Sequence, residues 1–267
     1  MMITAILTLG LTGLAFSILL SLLSKKLKIE EDPRVETVLE ALPGLNCGAC
    51  GFSGCRAYAA AVVKEQQIFS GCLPGGTEVN EKIAKIAGAQ NIETKDHKKA
   101  VCRCGAQTNE KKQSSIYNGP ATCKSSHITG GVIDCIWGCL GFGDCIAICP
   151  VGAISLRDKK IYVDIKKCIG CGKCVDNCPR NLFELIPLKE NTDIYYVGCN
   201  NKEKILEVKE VCDKGCIGCG ICARVNNSPY YLKDNLSYVD YAKAQNTPLE
   251  EGKAKCPTKC IFTVKDV

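Results

Sequence analysis

Twenty-two cysteines are spread along a chain of 267 residues, and their spacing constrains the fold more than any hydrophobic pattern does. The sharpest run is Cys168-x2-Cys171-x2-Cys174-x3-Cys178-Pro179. In a run of this kind three closely spaced thiolates wrap one [4Fe-4S] cluster, and the cysteine before proline reaches across to a second. A partner motif must therefore exist, and Cys135-x3-Cys139-x5-Cys145-x3-Cys149-Pro150 supplies it. Between the two motifs, Ala153–Leu156 and Ile161–Asp164 alternate in polarity around Arg157–Lys160 and read as a β-hairpin. Cys149 should complete the cluster of Cys168, Cys171 and Cys174, and Cys178 the upstream one. There Phe142 stands in the middle ligand position, which leaves Cys139, Cys145 and Cys178. Cys135 is the nearest replacement, so a cubane with shifted ligation is expected, with a three-iron cluster as the alternative.

The pattern repeats. Cys139-Leu-Gly-Phe-Gly-Asp-Cys145 aligns with Cys216-Ile-Gly-Cys-Gly-Ile-Cys222, Cys135 falls opposite Cys212, and Cys178-Pro179 falls opposite Cys256-Pro257. Tyr230–Lys233, Asp234-Asn235 and Leu236–Val239 echo the hairpin. Residues 135–187 and 212–265 thus read as two ferredoxin units. In the second, Asn226, Ala244 and Thr247 stand where ligands are needed. One of its sites is lost, and the other is expected to be held by Cys216, Cys219, Cys222 and Cys256.

A separate group, Cys47-x2-Cys50-x4-Cys55-x16-Cys72, precedes these units. It contains no histidine and lacks the paired CxxC knuckles usual for zinc, which favours a cubane. Asp32-Pro33 starts a helix over 30–41 that Pro43-Gly44 stops, Gly54–Gln66 carries Cys55 at a helix start, and Lys82–Ala89 reads as a further short helix. Cys260 aligns with Leu182 and reads as a buried small hydrophobe. Cys104, Cys123, Cys199 and Cys212 are candidates for a fifth site that no spacing argument supports, and Cys102 is unassigned.

Met1–Ser24 holds no charged side chain, and Ile3–Leu23 is almost continuously apolar. As a helix this stretch spans about 31 Å, the thickness of a bilayer core. Lys25, Lys26 and Lys28 follow, so the positive-inside rule leaves the remainder of the chain cytoplasmic. A cleaved signal peptide would need a basic leader and a small-residue cleavage site, and neither is present. Gly13, Ser17 and Ser21 lie on one face, where another membrane helix could approach or where they are merely scattered small residues. In a reducing cytoplasm disulfides are disfavoured, and cluster ligation becomes the reading for the cysteines.

The formal charge is +6 with every cysteine neutral. Four cubanes on sixteen thiolates, at about −2 each, would bring it to about −2, so the basic pI carries no nucleic-acid inference. No P-loop or dinucleotide fingerprint is present, since Gly138-x2-Gly141-x-Gly143 sits inside a cysteine motif. The two histidines, His97 and His127, lie in polar stretches and read as solvated. The chain can carry single electrons but shows nothing that accepts a hydride.

The stretches DPxVE, LPGLNCGACGFSGCRAYA, WGCLGFGDCIAICPVGAI and CIGCGKC, behind a membrane helix and basic residues, resemble the B subunit of the Rnf ion-translocating electron-transport complex, in its longer clostridial form. The resemblance covers nearly the whole chain. It implies a subunit that takes electrons from soluble ferredoxin and passes them on through about four [4Fe-4S] clusters. The complex it implies reduces NAD⁺ and pumps Na⁺ or H⁺ across the cell (inner) membrane, with flavin and NAD sites on other membrane and peripheral subunits. The expected fold is α+β: a transmembrane anchor (1–28), a small helical [4Fe-4S] domain (29–92), an irregular linker (93–134), a two-cluster ferredoxin unit (135–190) and a degenerate unit with one cluster (191–267). Two other readings compete: a membrane-tethered polyferredoxin serving another acceptor such as a corrinoid activator, and a zinc-stapled interaction protein.

Overall fold

The computed structural model describes residues 2–26, 32–66, 70–89, 98–187, 195–244 and 249–263. Lys28, His97 and Thr247 lie outside the described residues. Helix α1 (Met2–Lys26) is the apolar segment. None of its window Ile6–Ser24 is buried against the rest of the chain. The Ser17 hydroxyl donates to the Gly13 carbonyl (2.8 Å), so this polar group is satisfied inside the helix.

Three helices follow: α2 (Pro33–Ala41), α3 (Cys55–Glu65) and α4 (Gly76–Ala87). The Asp32 carboxylate caps α2 by accepting from the Arg34 amide (2.9 Å), and Pro33 occupies the first turn, where its missing N–H costs nothing. The predicted helix over 82–89 begins earlier, at Gly76, because Val79 and Ile83 carry the apolar stripe back by a turn. Val38, Val62, Ile83 and Ala87 are fully buried between the three helices. At ~1.5–3 kcal/mol for each large side chain this core is small, and much of what it surrounds is cysteine.

The first ferredoxin unit reaches further back than its motif. Its elements are β1 (Lys98–Cys102), α5 (Cys123–Ile128), α6 (Asp144–Ala147), β2 (Ile154–Arg157), β3 (Lys160–Val163), α7 (Lys173–Asn177) and β4 (Phe183–Pro187). β1 pairs antiparallel with β4, with Ala100 opposite Leu185 and Cys102 opposite Phe183. The stretch expected to be an irregular linker therefore supplies a strand and a helix to this unit from Lys98 onward. Its polar composition concealed the strand, since only Ala100, Val101 and Cys102 are buried, the first and third on one face and Val101 on the other.

The second unit is a reduced copy: β5 (Tyr195–Val197), α8 (Ile205–Val211), β6 (Tyr230–Lys233), β7 (Leu236–Val239), α9 (Leu249–Ala254) and β8 (Ile261–Thr263). β5 pairs with β8 as β1 pairs with β4, and β6 with β7 as β2 with β3. Backbone hydrogen bonds make the equivalence residue by residue. The Arg103 amide donates to Leu182 O (2.6 Å) and the Gly198 amide to Cys260 O (2.8 Å). The Asp164 amide donates to Ala153 O (2.7 Å) and the Asp240 amide to Pro229 O (2.8 Å). Both hairpins turn through two residues of positive φ, Asp158-Lys159 and Asp234-Asn235, as two-residue hairpin loops require. Gly141 (φ +77°) and Gly218 (φ +63°) are equivalent too, the first facing Lys159 and the second Asn235 of the two hairpin turns. A Cβ on Gly218, or on Gly170 (φ +67°) of the other cysteine run, would collide with a backbone carbonyl, Asn235 O or Lys98 O, so the cysteine loops need glycine there.

Candidate metal centres

The described cysteines gather into five groups. In site I the Cys55 amide donates to Asn46 Oδ1 (2.8 Å) and the Cys72 amide to Asn80 Oδ1 (2.6 Å), which pins both ends of the spread motif. Burial and the neighbouring Cys47, Cys55 and Cys50 push the Cys72 thiol up to about 11, against the pull of the Gly75 amide. Site II is a cavity of about 340 Å³ lined by Cys149, Cys168, Cys171 and Cys174. The Ala153 amide faces Cys149 Sγ (3.3 Å) and the Ala100 amide faces Cys168 Sγ (3.5 Å). Site IV, about 330 Å³, is lined by Cys216, Cys219, Cys222 and Cys256, with Cys260 beside them. Cys260 is buried, and its Sγ lies 3.7 Å from Cys256 Sγ.

Site III differs from the expected set. Its cavity of about 410 Å³ is lined by Cys139, Cys145 and Cys178 as expected, but also by Cys123 and Cys102, and Cys135 is not among its walls. The cause lies at Phe142, whose ring packs edge-on against Tyr117 (centroids 5.7 Å apart). That contact brings the segment leading to α5 over the gap left by the missing middle cysteine. The Asp144 carboxylate, next to Cys145, then accepts from the Cys123 amide (3.0 Å) and the Lys124 amide (3.3 Å) and fixes the helix start. Cys123 also matches the middle ligand in exposure. In the ferredoxin runs the first and third cysteines are buried while the middle ones, Cys171 and Cys219, are half-buried. Cys123 is half-buried and Cys102 is buried.

Cys135 lies instead in a fifth cavity of about 350 Å³, together with Cys104, Cys199 and Cys212. The structure thus brings Cys104, Cys199 and Cys212 together with Cys135 rather than with Cys123, which lines site III. In the second unit the lost site is filled. Tyr195 and Tyr230 stand where Ala100 and Ile154 line site II, and both rings are buried in the core. The Tyr230 hydroxyl donates to Leu249 O (3.1 Å) and Tyr195 pairs with Glu250. His127 is exposed, as its polar surroundings suggested.

These groups fit clusters better than single ions. Among the described residues no group of three or more His, Cys, Asp or Glu side chains converges closely enough for one metal ion. In four of the groups the sulfurs line cavities of about 330–410 Å³, and several of them accept from amides. The surroundings also carry positive charge with no buried counter-charge. Lys111 and Arg180 are buried, and no described carboxylate lies within ion-pair distance of either. Lys111 Nζ donates to Lys159 O (3.1 Å) and reaches Cys139 O (3.5 Å). Arg180 donates from Nη1 to Cys135 O and Gly138 O (2.8 Å each) and from Nη2 to Gly130 O (2.9 Å). Unpaired buried cations are costly, and tetrathiolate cubanes of about −2 would balance them. The Tyr58 hydroxyl, buried and without a partner, lies near Cys72 and Cys50 of site I; burial, then those two thiols, push its pKa up.

Comparison with known proteins agrees with this chemistry. An Fe-S cluster family model matches residues 42–74, and the 4Fe-4S dicluster domain model matches residues 134–182. The chain is 34% identical to the B subunit of the proton-translocating ferredoxin:NAD(+) oxidoreductase complex of Clostridium ljungdahlii, over 94% of this chain and 89% of that one. It belongs to the B-subunit family of ion-translocating ferredoxin:NAD(+) oxidoreductase complexes. The B subunit of the ion-translocating oxidoreductase complex of Methanosarcina acetivorans is 32% identical over 97% of both chains. That of the Na(+)-translocating ferredoxin:NAD(+) oxidoreductase complex of Acetobacterium woodii is 35% identical over 95% of this chain and 75% of its own length. The relatives carry different ion names, so membership in the B-subunit family does not select the ion.

Proposed function

We propose that this B subunit is the iron–sulfur electron-transfer subunit of a membrane-bound ferredoxin:NAD⁺ oxidoreductase. It would receive electrons from reduced soluble ferredoxin at its second ferredoxin unit and pass them toward the membrane. The observation that carries this is the set of four-cysteine groups, most of them lining cavities, in a chain of this family. Site I takes Cys47, Cys50, Cys55 and Cys72; site II takes Cys149, Cys168, Cys171 and Cys174. Site III takes Cys123, Cys139, Cys145 and Cys178; site IV takes Cys216, Cys219, Cys222 and Cys256. The clusters supply reversible one-electron chemistry when bound. The chain's own part is to hold them close, dry and in order. Support for the order comes from Cys171 of site II: its thiol is raised by burial and next by the nearby Cys47 of site I, against the Lys173 amide. Site I is the group joined to α1 by the shortest stretch of sequence, so electrons leaving it are nearest the membrane.

Helix α1 serves as a single-pass anchor with the rest of the chain on the cytoplasmic side, where ferredoxin is found. Hydride transfer to NAD⁺ is assigned to other subunits of the complex. The test is Cys219→Ala in the assembled membrane complex. Ferredoxin-driven NADH formation should fall at least tenfold while sites I and II keep their EPR signals. Normal NADH formation in that variant would overturn the order proposed here.

A further inference from the structure

We propose that Cys104, Cys135, Cys199 and Cys212 hold a fifth [4Fe-4S] cluster between the two ferredoxin units, where it links site IV to site III. The inference rests on the iron–sulfur reading above and adds a site that the ferredoxin motifs do not contain. Its first support is symmetry. Each unit gives two cysteines from equivalent positions. Cys104 and Cys199 each directly follow the residue whose amide pairs with the end of the unit, Arg103 with Leu182 and Gly198 with Cys260. Cys135 and Cys212 each precede their unit's C-x-G-x-G-x-C run by the same interval. The two equivalent units thus contribute one pair apiece, and the Gly105 amide donates to Gly198 O (2.9 Å) where they meet.

The second support is the hydrogen bonding at sulfur. The Cys139 amide donates to Cys104 Sγ (3.2 Å), so a ligand residue of site III bonds a sulfur of the fifth site. The equivalent Cys216 amide, from site IV, hydrogen-bonds Cys199 in the same way. Asn201 serves two sulfurs: its amide N–H reaches Cys199 Sγ (3.4 Å) and its side chain reaches Cys135 Sγ (3.7 Å). Acceptor-only sulfurs ringed by amides are the surroundings of cluster thiolates, and such bonds help set cluster potentials. The cavity, about 350 Å³, matches those of sites II and IV at about 340 and 330 Å³. Buried Lys111 and Arg180 lie beside it and supply charge for a dianionic site.

Loading balances simply. A [4Fe-4S]²⁺ core displaces four thiol protons to solvent and leaves a site of about −2.

The test uses the full chain, purified anaerobically in detergent. Iron, acid-labile sulfide and zinc are counted and the reduced clusters examined by EPR and Mössbauer spectroscopy. The wild type should hold about twenty irons and twenty sulfides, and Cys199→Ala/Cys212→Ala about sixteen, with the signals of sites I–IV retained. If the double variant does not accumulate, Cys104→Ser should keep the iron but alter one Mössbauer component. About sixteen irons in the wild type, with or without one zinc, or an unchanged count in the double variant, would overturn the fifth cluster while leaving the iron–sulfur reading intact. A chain without iron would overturn that reading itself. The linking role has its own measure: after mixing with reduced ferredoxin, freeze-quench EPR of the double variant should show site IV reduced and site III lagging at least tenfold. Equal rates at the two sites would refute it.

Discussion

Arg180 offers the sharpest test of how the fold tunes its clusters. It directly follows Cys178-Pro179, is buried, and spends Nη1 and Nη2 on three backbone carbonyls, those of Gly130, Cys135 and Gly138. Burial lowers its pKa, while Cys135, Cys139, Cys104 and Cys178 oppose that shift, which places its charge between site III and the fifth site. A cation stabilises the more negative, reduced state of both. At an effective dielectric of about 20, a unit charge roughly 6–10 Å from a redox group is worth ~1.7–2.8 kcal/mol. For a one-electron couple that is ~70–120 mV. Arg180→Gln removes the charge and keeps part of the hydrogen bonding, so both potentials should fall by about that amount. Arg180→Lys keeps the charge but loses the fork that holds three carbonyls; at ~1–3 kcal/mol for each group left unpaired, it should lower stability more than potential. The assay is an EPR-monitored redox titration of the full chain at unchanged iron content, with site II as the internal control. Unchanged potentials in Arg180→Gln would refute the electrostatic argument, and so would an equal fall at site II.

Further outcomes follow from the same geometry. Cys123→Ala should cost site III its cubane and leave a three-iron signal in the oxidised protein, whereas Cys102→Ala should keep the full iron count; the reverse pattern would reassign the ligand. Tyr58→Phe removes a buried hydroxyl near Cys72 and Cys50, and should lower the site I potential by ~20–60 mV if that hydroxyl bonds sulfur at ~0.5–1.5 kcal/mol, while no shift means that it does not. Chiefly through burial, the Cys145, Cys174 and Cys199 thiols are pushed up to about 12, far above the ordinary ~8.5, so loading their sites releases protons, whereas hydrogen bonds with Cys260 bring Cys216 and Cys256 of site IV down to about 6 and about 5. Iron retention against a fixed chelator concentration should therefore rise from about pH 6 to about pH 8, and a flat profile would contradict that. In the cluster-free chain the three raised thiols act in the opposite sense: folding favours their neutral forms, so their contribution to stability is full below about pH 8.5 and falls as pH rises toward 12. A urea midpoint that does not fall between those values would refute the burial argument.

What could be read from the sequence was what chemistry keeps local. The ferredoxin run, the β6–β7 hairpin and the Asp32-Pro33 helix start depend on residues a few positions apart, and the structure shows them where the spacing put them. Cys123 could not be read this way. Its place follows from a ring contact between Tyr117 and Phe142 and from the Asp144 carboxylate, pairs 25 and 21 residues apart in sequence that no periodicity announces. Cys135 is hard to place for the opposite reason: proximity in sequence to Cys139 suggests a shared cluster, whereas its carbonyl is tied to Arg180 and its sulfur faces Asn201. The internal repeat does hold one further signal. Extended back through β1 and β5 it sets Cys104 opposite Cys199, and with Cys135 opposite Cys212 two symmetric pairs emerge.

That symmetry also explains how the second unit tolerates the loss of a cluster. With Tyr195 and Tyr230 in the vacated space, site IV has no neighbour within its own unit, and a relay that relied on paired clusters would end there. A cluster divided between the units restores a neighbour without rebuilding either hairpin, because its four cysteines lie on segments that already meet: Lys214 pairs with Glu110 (2.9 Å), and the Lys112 amide donates to Val211 O (3.0 Å). It also changes what holds the units together. The descent from site IV to site III then crosses an interface fastened by iron, so oxidative loss of that one cluster would both cut the path and loosen the joint. Oxygen exposure should therefore raise amide exchange at Gly105 and Gly198 together with the loss of electron transfer to site III. If exchange at those amides stays slow while transfer fails, the hydrogen bonds, ion pair and packing hold the joint without the cluster, which then serves only conduction.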